Sequence, residues 1–468
     1  MKNAHAVNAG DRLDRLPIGR FHRRVLWMVG AGALMDAFDV YLAAGVLAAM
    51  VREGFSDIDG NARFLSWGFG GMLIGAACAG YTGDRFGRRV SYQINLLIFG
   101  IASLAAMFVT SIETLIWLRF IMGIGLGAEI VVATGALAEF VPLSRRGRWM
   151  SLFAIIVNCG FVAATVVGYF VIPALGWRWM FGIAGLGALA VWAARKNMPE
   201  SPRWLEAVGR GDEAERLLDA IEASVSEEHG ALPPVFAGVH PVDRALPLEP
   251  FVPFTALFSR AVLPRTILAA LIAVSTLVSI FGFIVWLPSF MVGQGNPLAD
   301  SLGHSIVLSV GAPLGGAMGF LVADRTGRKA SIVVACIAII ALGSIYSFCQ
   351  TPVALSIAGF LLVTAIYALV ALGTYVYVPE LFSTSIRLRG TGFASVCGRA
   401  ASIASPFLAV FAYREAGLAG TLAIVYGLLV VLIGALLAFG VETASSPLEC
   451  ATSVHAAPDG IKFISKRG

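Results

Sequence analysis

Long apolar runs alternate with short charged segments along most of the chain. Uncharged runs of 20 and 23 residues, at 64–83 and 301–323, precede two of these segments. A hydrocarbon core of ~30 Å needs ~20 helical residues. The pattern therefore predicts an all-α polytopic membrane protein with twelve transmembrane helices. They are predicted at residues 25–51, 64–82, 90–109, 115–138, 149–177, 179–194, 266–292, 301–322, 330–348, 353–378, 390–413 and 418–441.

The charged segments repeat in the two halves of the chain. The sequence GDRFGRR at 83–89 returns as ADRTGRK at 323–329, a spacing of 240 residues. Glu139, followed seven residues later by Arg146, matches Glu380, followed seven later by Arg387, at a spacing of 241. Two motifs that repeat at nearly one spacing imply one ancestral half used twice. We therefore expect two pseudo-symmetric six-helix bundles, at 25–194 and 266–441, a build common among secondary transporters.

Three polar segments flank the predicted bundles: a tail at 1–24, a central loop at 195–265 and a second tail at 442–468. Apolar residues recur at helical spacing within 203–228, which predicts short amphipathic helices in the loop. The short loops near residues 85, 146, 325 and 387 carry eleven Lys and Arg, and those on the other side carry four. Because cytoplasmic loops are enriched in basic residues, we expect both tails and the central loop in the cytoplasm. The expected location is a bacterial inner membrane.

The composition limits the kinds of partner that the protein is expected to bind. The chain is 58% hydrophobic and 13% charged, with a mean hydropathy of +0.81, whereas soluble proteins carry about 25% charged residues. The net charge of +5 is spread over short loops, so nucleic acid is not an expected partner. The six cysteines and six histidines lack metal-ligand spacing, and no Walker motif is present. We expect no metal, no cofactor and no enzymatic activity. The expected partners are a small-molecule substrate, protons and the lipid bilayer, and the protein is expected to be a monomer.

Several motifs resemble the major facilitator superfamily, in particular its sugar-porter-like and metabolite:proton symporter branch. They are the stretch from Gly80 to Arg89 after the second span, PESPR at 199–203 after the sixth, and YVPEL at 377–381 after the tenth. The resemblance covers residues 20–442, although Phe320 stands where the second copy of the family motif has glycine. It implies the twelve-helix fold of that superfamily and transport by alternating access.

The type of substrate is suggested by the first and seventh spans. Sugar porters usually carry a Gln-Gln pair in span seven, but residues 275–282 contain no glutamine. Asp36 and Asp39 in span one resemble the Asp-x-x-Asp of aromatic-acid and nicotinate carriers. The stretch from Gly123 to Glu129 also resembles nicotinate-type carriers more closely than sugar carriers.

Polar groups inside the predicted spans are candidates for the transport site, since charge in a membrane is costly. Arg399, Glu129 and Asn158 each lie ten residues from a charged residue at the cytoplasmic end of their helix. At ~1.5 Å per residue they lie ~15 Å deep, near the middle of the membrane. These three are predicted substrate-binding residues, with the fork of Arg399 suited to a carboxylate. Alternatively, Arg399 pairs with Asp39 or Glu129. Glu129 could instead pair with Arg119 or a neighbouring backbone group, and Asn158 could form only a hydrogen bond between helices.

The coupling proton is assigned to Asp36 and Asp39. They lie three residues apart on one helical face, so they could share one proton. Asp39 is favoured because it lies deeper in the membrane. While charged, it would compete with the substrate for Arg399, and once protonated it would release that arginine.

A cytoplasmic gate is predicted at the repeated charged segments. Asp84 is expected to pair with Arg88, and Glu139 with Arg146 and Arg148. The resemblance implies that such pairs stabilise the outward-open form and break on inward opening. The predicted gate residues are Asp84, Arg85, Arg88, Arg89, Glu139, Arg146, Arg148, Asp324, Arg325, Arg328, Glu380 and Arg387.

The sequence thus favours a proton-coupled importer of a small organic anion, such as an aromatic or pyridine carboxylate. A sugar or polyol symporter is the main alternative. Proton-antiporting drug exporters usually carry a Gly-Pro-rich motif in span five. The stretch from residue 158 onward contains no Gly-Pro, which disfavours a drug exporter. A non-transporting receptor on the same fold also remains open.

Overall fold

The computed structural model describes residues 9–142, 145–235, 254–382 and 386–443, and this part of the chain is built from helices. The short helices α1, α8 and α9 lie outside the spans, and the rest form the membrane bundle. In order they are α1 Ala9–Asp14, α2 Arg20–Arg52, α3 Ile58–Phe86, α4 Arg88–Ala106, α5 Ile112–Phe140, α6 Arg146–Leu175, α7 Arg178–Ala194, α8 Pro202–Ala207, α9 Gly211–His229, α10 Leu263–Phe281, α11 Leu287–Gly293, α12 Leu298–Thr326, α13 Arg328–Phe348, α14 Pro352–Leu369, α15 Val378–Glu380 and α16 Arg387–Phe439.

Twelve spanning segments can be counted within the described residues. Eight helical segments are both long and apolar enough to cross a membrane. One of them, in α16, contains two spans, because Ala416 and Gly417 leave helical geometry in its middle. α3 and α12, each of 29 residues, are ~43 Å long at ~1.5 Å per residue. α7 has 17 residues, the short end of the spanning range of about 17–25.

Local sequence accounts for several helix boundaries. Pro352 opens α14 in its first turn, and the Thr351 hydroxyl accepts a hydrogen bond from the Ala354 N–H at 3.3 Å. Between α3 and α4 the chain turns at Gly87, whose φ is +90°, and Gly327 makes the same turn between α12 and α13 with a φ of +81°. Both glycines lie in the repeated charged segments, so the repeat in the sequence is also a repeat of the turn.

Spans seven and ten differ from the uninterrupted helices that the sequence predicts. Span seven breaks after α10 into a 3-10 turn at Ile284–Trp286 and continues as α11. Pro288, which has no N–H, cannot donate to the carbonyl of Ile284 four residues earlier, so the helix is interrupted there. Span ten widens into a π-helix at Val370–Tyr377. This π-helix ends two residues before Pro379.

The two largest of the apolar clusters in the described residues divide between the two halves of the bundle. One is drawn from residues 257–436 together with Phe161. The other is drawn from residues 38–188 and receives a group of side chains from the second half: Val285, Trp286, Phe290, Leu298, Leu302, Ala409 and Val410. We call the side that carries α1, α8 and α9 the termini face. At the opposite face, these side chains of the second half pack into the core of the first half. Arg414 also pairs there with Asp59 at 2.7 Å.

The predicted polar tail at 1–24 contains helix α1 and the first turn of α2. α1 packs on α9 of the central segment, where Leu13 joins Leu218 and Ile221 in one apolar cluster. Arg12 pairs with Glu222 at 2.8 Å. Burial raises the pKa of Glu222, but hydrogen bonds from Arg12 and Arg15 outweigh burial and hold that pKa below its usual value. The N-terminal segment is therefore fastened to α9 by apolar contact and charge.

Candidate functional site

Asp39 and Arg119 form a buried ion pair between α2 and α5. Arg119 Nη1 donates to Asp39 Oδ2, and Nη2 donates to the Asp39 backbone carbonyl at 3.3 Å. The guanidinium carbon lies 5.1 Å from the centre of the Phe64 ring. A Cβ at Gly68 would stand 3.0 Å from the arginine side chain, so this glycine makes room for it. The negative charge of Asp39 is thereby neutralised by an arginine of the same half of the molecule.

Glu129 has a partner that the sequence did not suggest. Arg195, which the sequence placed at the start of the central loop, lies in the turn after α7 with 1% of its surface exposed. Its Nη1 donates to Glu129 Oε1. The alternative in which Glu129 pairs with Arg119 is wrong, because Arg119 is already bound by Asp39. Neither the apolar run before Arg195 nor the polar residues after it signal that this arginine turns back into the bundle.

Arg399 on α16 is half-buried and makes no hydrogen bond or ion pair with any residue that the structure describes. The alternative in which it pairs with Asp39 or Glu129 is wrong, since both carboxylates have other guanidinium partners. Arg399 lies within electrostatic range of Tyr375 on the π-helix of span ten. No carboxylate of the described residues therefore pairs with its positive charge.

An aromatic contact joins the two halves near Asn158. The hydroxyls of Tyr41 and Tyr367 are hydrogen-bonded across the halves. Phe161 stacks on both rings, with centroid distances of 4.3 Å to Tyr41 and 6.5 Å to Tyr367. Asn158 faces the second half, because a Cβ at Gly316 would stand 3.0 Å from its Nδ2. Sequence reasoning missed the aromatic residues; Tyr41, two positions after Asp39, was the available signal.

The first charged segment forms a network at the termini face. Arg88 Nη2 lies 2.8 Å from Glu139 Oε1 and joins α4 to α5. Glu200 accepts the backbone N–H groups of Arg88 and Arg89 at 2.9 and 3.1 Å. Its carboxylate therefore caps the start of α4. A Cβ at Gly87 would stand 2.3 Å from that carboxylate, which gives a second reason for glycine there.

The second charged segment repeats this network. Arg328 lies 3.2 Å from Glu380, and Glu442 accepts the backbone N–H groups of Arg328 and Lys329 at 2.7 and 3.2 Å. Glu442 follows Glu200 by 242 residues, so it is a third repeated element. In the sequence, Glu200 was visible only as part of the family motif PESPR. The capping role of both glutamates depends on the fold, because it brings each one to the start of a helix more than 110 residues away.

The predicted partners of Glu139 need a correction. Its Oε1 is bound by Arg88, and its Oε2 is buried without a hydrogen-bond partner among the described residues, so it pairs with neither Arg146 nor Arg148. Those two arginines begin α6 and point elsewhere: Arg148 is exposed and Arg146 is half-buried. The physical reason is that α4 packs against α5 and brings Arg88 to Glu139.

The remaining predicted gate residues lie at the same face. Arg85 is exposed beside the Phe86 ring, and Arg387 donates to the Phe382 carbonyl at 3.4 Å. The side chains of Asp84, Asp324 and Arg325 lie outside the described part of the structure. The pairing of Asp84 with Arg88 therefore stays a prediction. In both described networks, the partners belong to the same half.

The fold and these networks define a polytopic membrane transport protein with two similar halves. The model of the sugar (and other) transporter family matches residues 26–454. The chain belongs to this family within the major facilitator superfamily, whose members are transporters rather than enzymes. The predicted superfamily and the predicted fold are confirmed.

Curated relatives match over nearly their full length. The inner membrane metabolite transport protein YdjE of Escherichia coli is 34% identical over 95% of this chain and 98% of its own. The niacin transporter NiaP of Acinetobacter baylyi is 33% identical over 85% of this chain and 89% of its own. Among solved structures, a partially occluded inward-open conformation of the xylose transporter XylE from E. coli gives a TM-score of 0.69 at 19% identity, covering 92% of this chain and 100% of that chain.

Proposed function

We propose that the protein is a proton-coupled importer of a small organic anion, an aromatic or pyridine carboxylate, that works by alternating access. One observation carries the proposal: Arg399 is a half-buried cation inside a span, and no described residue satisfies it. An unpaired charge in a span is costly, so a ligand that completes it is expected. A guanidinium offers a planar fork that matches a carboxylate with two hydrogen bonds.

The partners of the other buried charges support this assignment. Asp39 and Glu129 are each held by another arginine, so an anionic substrate would not have to displace a protein carboxylate. We keep Asn158 as a second substrate-binding residue, because its amide faces the other half of the molecule. We assign Glu129 to its buried pair with Arg195 rather than to the substrate. The niacin carriers among the relatives also favour a pyridine carboxylate.

The coupling proton is proposed to reside on the Asp36 and Asp39 pair, with Asp39 favoured. Protonation of Asp39 would neutralise the partner of Arg119 and loosen the contact between α2 and α5. A symporter must not reorient with only the proton or only the substrate bound, and a charge pair at the contact of two helices can impose that rule. The partner that Asp39 would release is Arg119, not Arg399 as the sequence suggested.

The remaining features of the proposal concern organisation. We propose that the termini face is cytoplasmic, in a bacterial inner membrane, because the short basic loops lie there. The repeated networks around Arg88 and Arg328 would act as its gate, and the protein would work as a monomer. The proposed segments are the tail at 1–24, bundles at 25–194 and 266–441, the loop at 195–265 and the tail at 442–468.

A screen of thermal stability separates this proposal from its alternatives. Purified protein would be heated with nicotinate, benzoate, xylose, a polyol or a cationic drug. A ligand at 100 times its Kd adds about 2.7 kcal/mol of stability. Stabilisation by nicotinate or benzoate, followed by their proton-driven uptake into proteoliposomes, supports the proposal. Stabilisation by xylose or the polyol alone would favour a sugar symporter, and by the drug alone an exporter. Binding without uptake would favour a receptor.

A further inference from the structure

A second group of buried charges lies beside the Asp39–Arg119 pair. It consists of Asp36 on α2, Glu129 on α5 and Arg195 after α7. Their exposed fractions are 6%, 1% and 1%. Two carboxylates and one guanidinium therefore share a dry region between the helices of the first half.

Several contacts fix the guanidinium of Arg195 in a pocket, which we call its seat. Its Nε donates to the Met28 carbonyl at 2.7 Å and its Nη2 donates to the Val29 carbonyl at 2.9 Å. The guanidinium carbon lies 5.0 Å from the centre of the Tyr92 ring on α4. A Cβ at Gly32 would stand 2.0 Å from Nη2, so only glycine allows this approach. The seat fixes one positive charge against α2.

Asp36 lies one helical turn beyond that seat. Gly32 and Asp36 are four residues apart, and such positions are neighbours on one helix face. Both carboxylate oxygens of Asp36 are buried without a hydrogen-bond partner in the described residues. The charged groups that act on it are Glu129, Arg195 and Asp39, of which Arg195 is bound by Glu129 and Asp39 by Arg119. Tyr92 is the remaining titratable group packed against the seat.

The charges of the group do not balance unless a proton is present. Glu129 and Arg195 neutralise each other, and so do Asp39 and Arg119. An ionised Asp36 would then be a buried charge with neither a counter-ion nor a hydrogen-bond donor, which costs several kcal/mol. A carboxyl group in that position takes up a proton instead.

We propose that Asp36 carries a proton in this conformation and is a second proton-binding group, separate from Asp39. The Glu129–Arg195 pair acts through Asp36 as a positioning pair, since it holds two opposite charges at fixed positions beside that carboxyl group. When water reaches the group, the carboxyl O–H transfers its proton to water, and a carboxylate remains facing Arg195. The return of a proton from water restores the buried neutral form. As a coupling step, this inference rests on the proposed function; as a protonation state, it does not.

Infrared difference spectroscopy of purified protein tests the protonation state without transport. A protonated buried carboxyl gives a carbonyl stretch that a carboxylate lacks. We expect this band near neutral pH in the wild type, its loss in Asp36→Asn, and its retention in the exposed control Asp212→Asn. A spectrum unchanged by Asp36→Asn would overturn the proposal, whatever the protein transports.

The role of Arg195 is tested by the pH dependence of the same band. The double variant Glu129→Gln/Arg195→Gln removes both charges of the pair without leaving one unpaired. Glu129 and Arg195 act on Asp36 in opposite directions and with unequal strength, so removing both should change the pH at which the band is lost. Arg195→Lys, which keeps the charge, should retain the wild-type pH dependence. Equal pH dependence in the double variant and the wild type would refute a positioning role.

The coupling step is tested in proteoliposomes with labelled nicotinate. The substrate gradient that just balances an imposed proton gradient gives the number of protons moved per nicotinate. Asp36→Asn should move one proton fewer than the wild type, and Asp212→Asn the same number. An unchanged ratio in Asp36→Asn would overturn the coupling role while the proposed function stands. A wild type that does not couple nicotinate to protons would instead contradict the proposed function, and the infrared result would still decide the state of Asp36.

Discussion

The substitution Arg399→Lys separates a substrate-binding arginine from a structural one. Lysine keeps the positive charge but replaces the planar fork by a single ammonium group. Because Arg399 makes no hydrogen bond or ion pair with the described residues, its replacement should cost the fold little. An anionic substrate, by contrast, should lose one of two charge-assisted hydrogen bonds.

The expected magnitude follows from that count. A hydrogen bond to a charged group contributes about 1.5–3 kcal/mol, and every 1.4 kcal/mol changes affinity about tenfold. We therefore expect carboxylate binding to weaken about 10- to 100-fold. The unfolding temperature without ligand should stay close to that of the wild type.

Two measurements on the same detergent-purified sample check this prediction. Calorimetric titration with nicotinate or benzoate gives the Kd, and a thermal scan without ligand gives the stability. Arg119→Lys is the matched control: Arg119 is bound by Asp39 and buried, so the same change there should lower stability. If Arg399→Lys bound the carboxylate as tightly as the wild type, the proposed role of the fork would be wrong. A large loss of stability in Arg399→Lys would indicate a structural role.

Four further predictions follow from other contacts. Arg88→Ala should slow transport while nicotinate binding persists, because a gate shifts conformations without touching the ligand. Asp39→Asn should move fewer protons per nicotinate and accumulate less nicotinate than the wild type but keep counterflow exchange, since it mimics the protonated form. Gly32→Ala should lower the free energy of unfolding by about 1–3 kcal/mol through overpacking, whereas Gly135→Ala, with no neighbour within 4 Å, should not. The stability difference between the wild type and Glu222→Gln should be complete above pH 4.5 and vanish as the pH falls through the lowered pKa of Glu222.

Each of these has a result that would contradict it. Complete loss of nicotinate binding in folded Arg88→Ala would place Arg88 in the substrate site. An unchanged number of protons moved per nicotinate in Asp39→Asn would exclude Asp39 as a coupling group. Equal unfolding energies of the two alanine variants would show that the seat against α2 tolerates a Cβ. A Glu222→Gln effect that persists in acid would mean that packing, rather than charge, fastens α1 to α9.

The sequence by itself determined the spans and the repeat. Hydropathy is a property of consecutive residues, and the membrane sets one length for every span, so the twelve segments could be counted directly. The break before Pro352 and the paired turns at Gly87 and Gly327 follow from local chemistry. The sequence also identified Asp36, Asp39 and Arg399 as polar groups inside spans, because each interrupts an apolar run.

Tertiary structure decided which charges meet. From the sequence, Arg399 could have paired with Asp39 or Glu129. In the fold, Asp39 pairs with Arg119 and Glu129 pairs with Arg195 instead. These pairs join residues that lie 80 and 66 positions apart, so helix packing selects them and no local pattern records them. Arg195 followed an apolar run in the manner of a loop residue, yet the gap at Gly32 let it turn back into the bundle. Periodicity fixes where a helix lies along the chain, but only the packing of helices fixes which neighbour a buried charge finds.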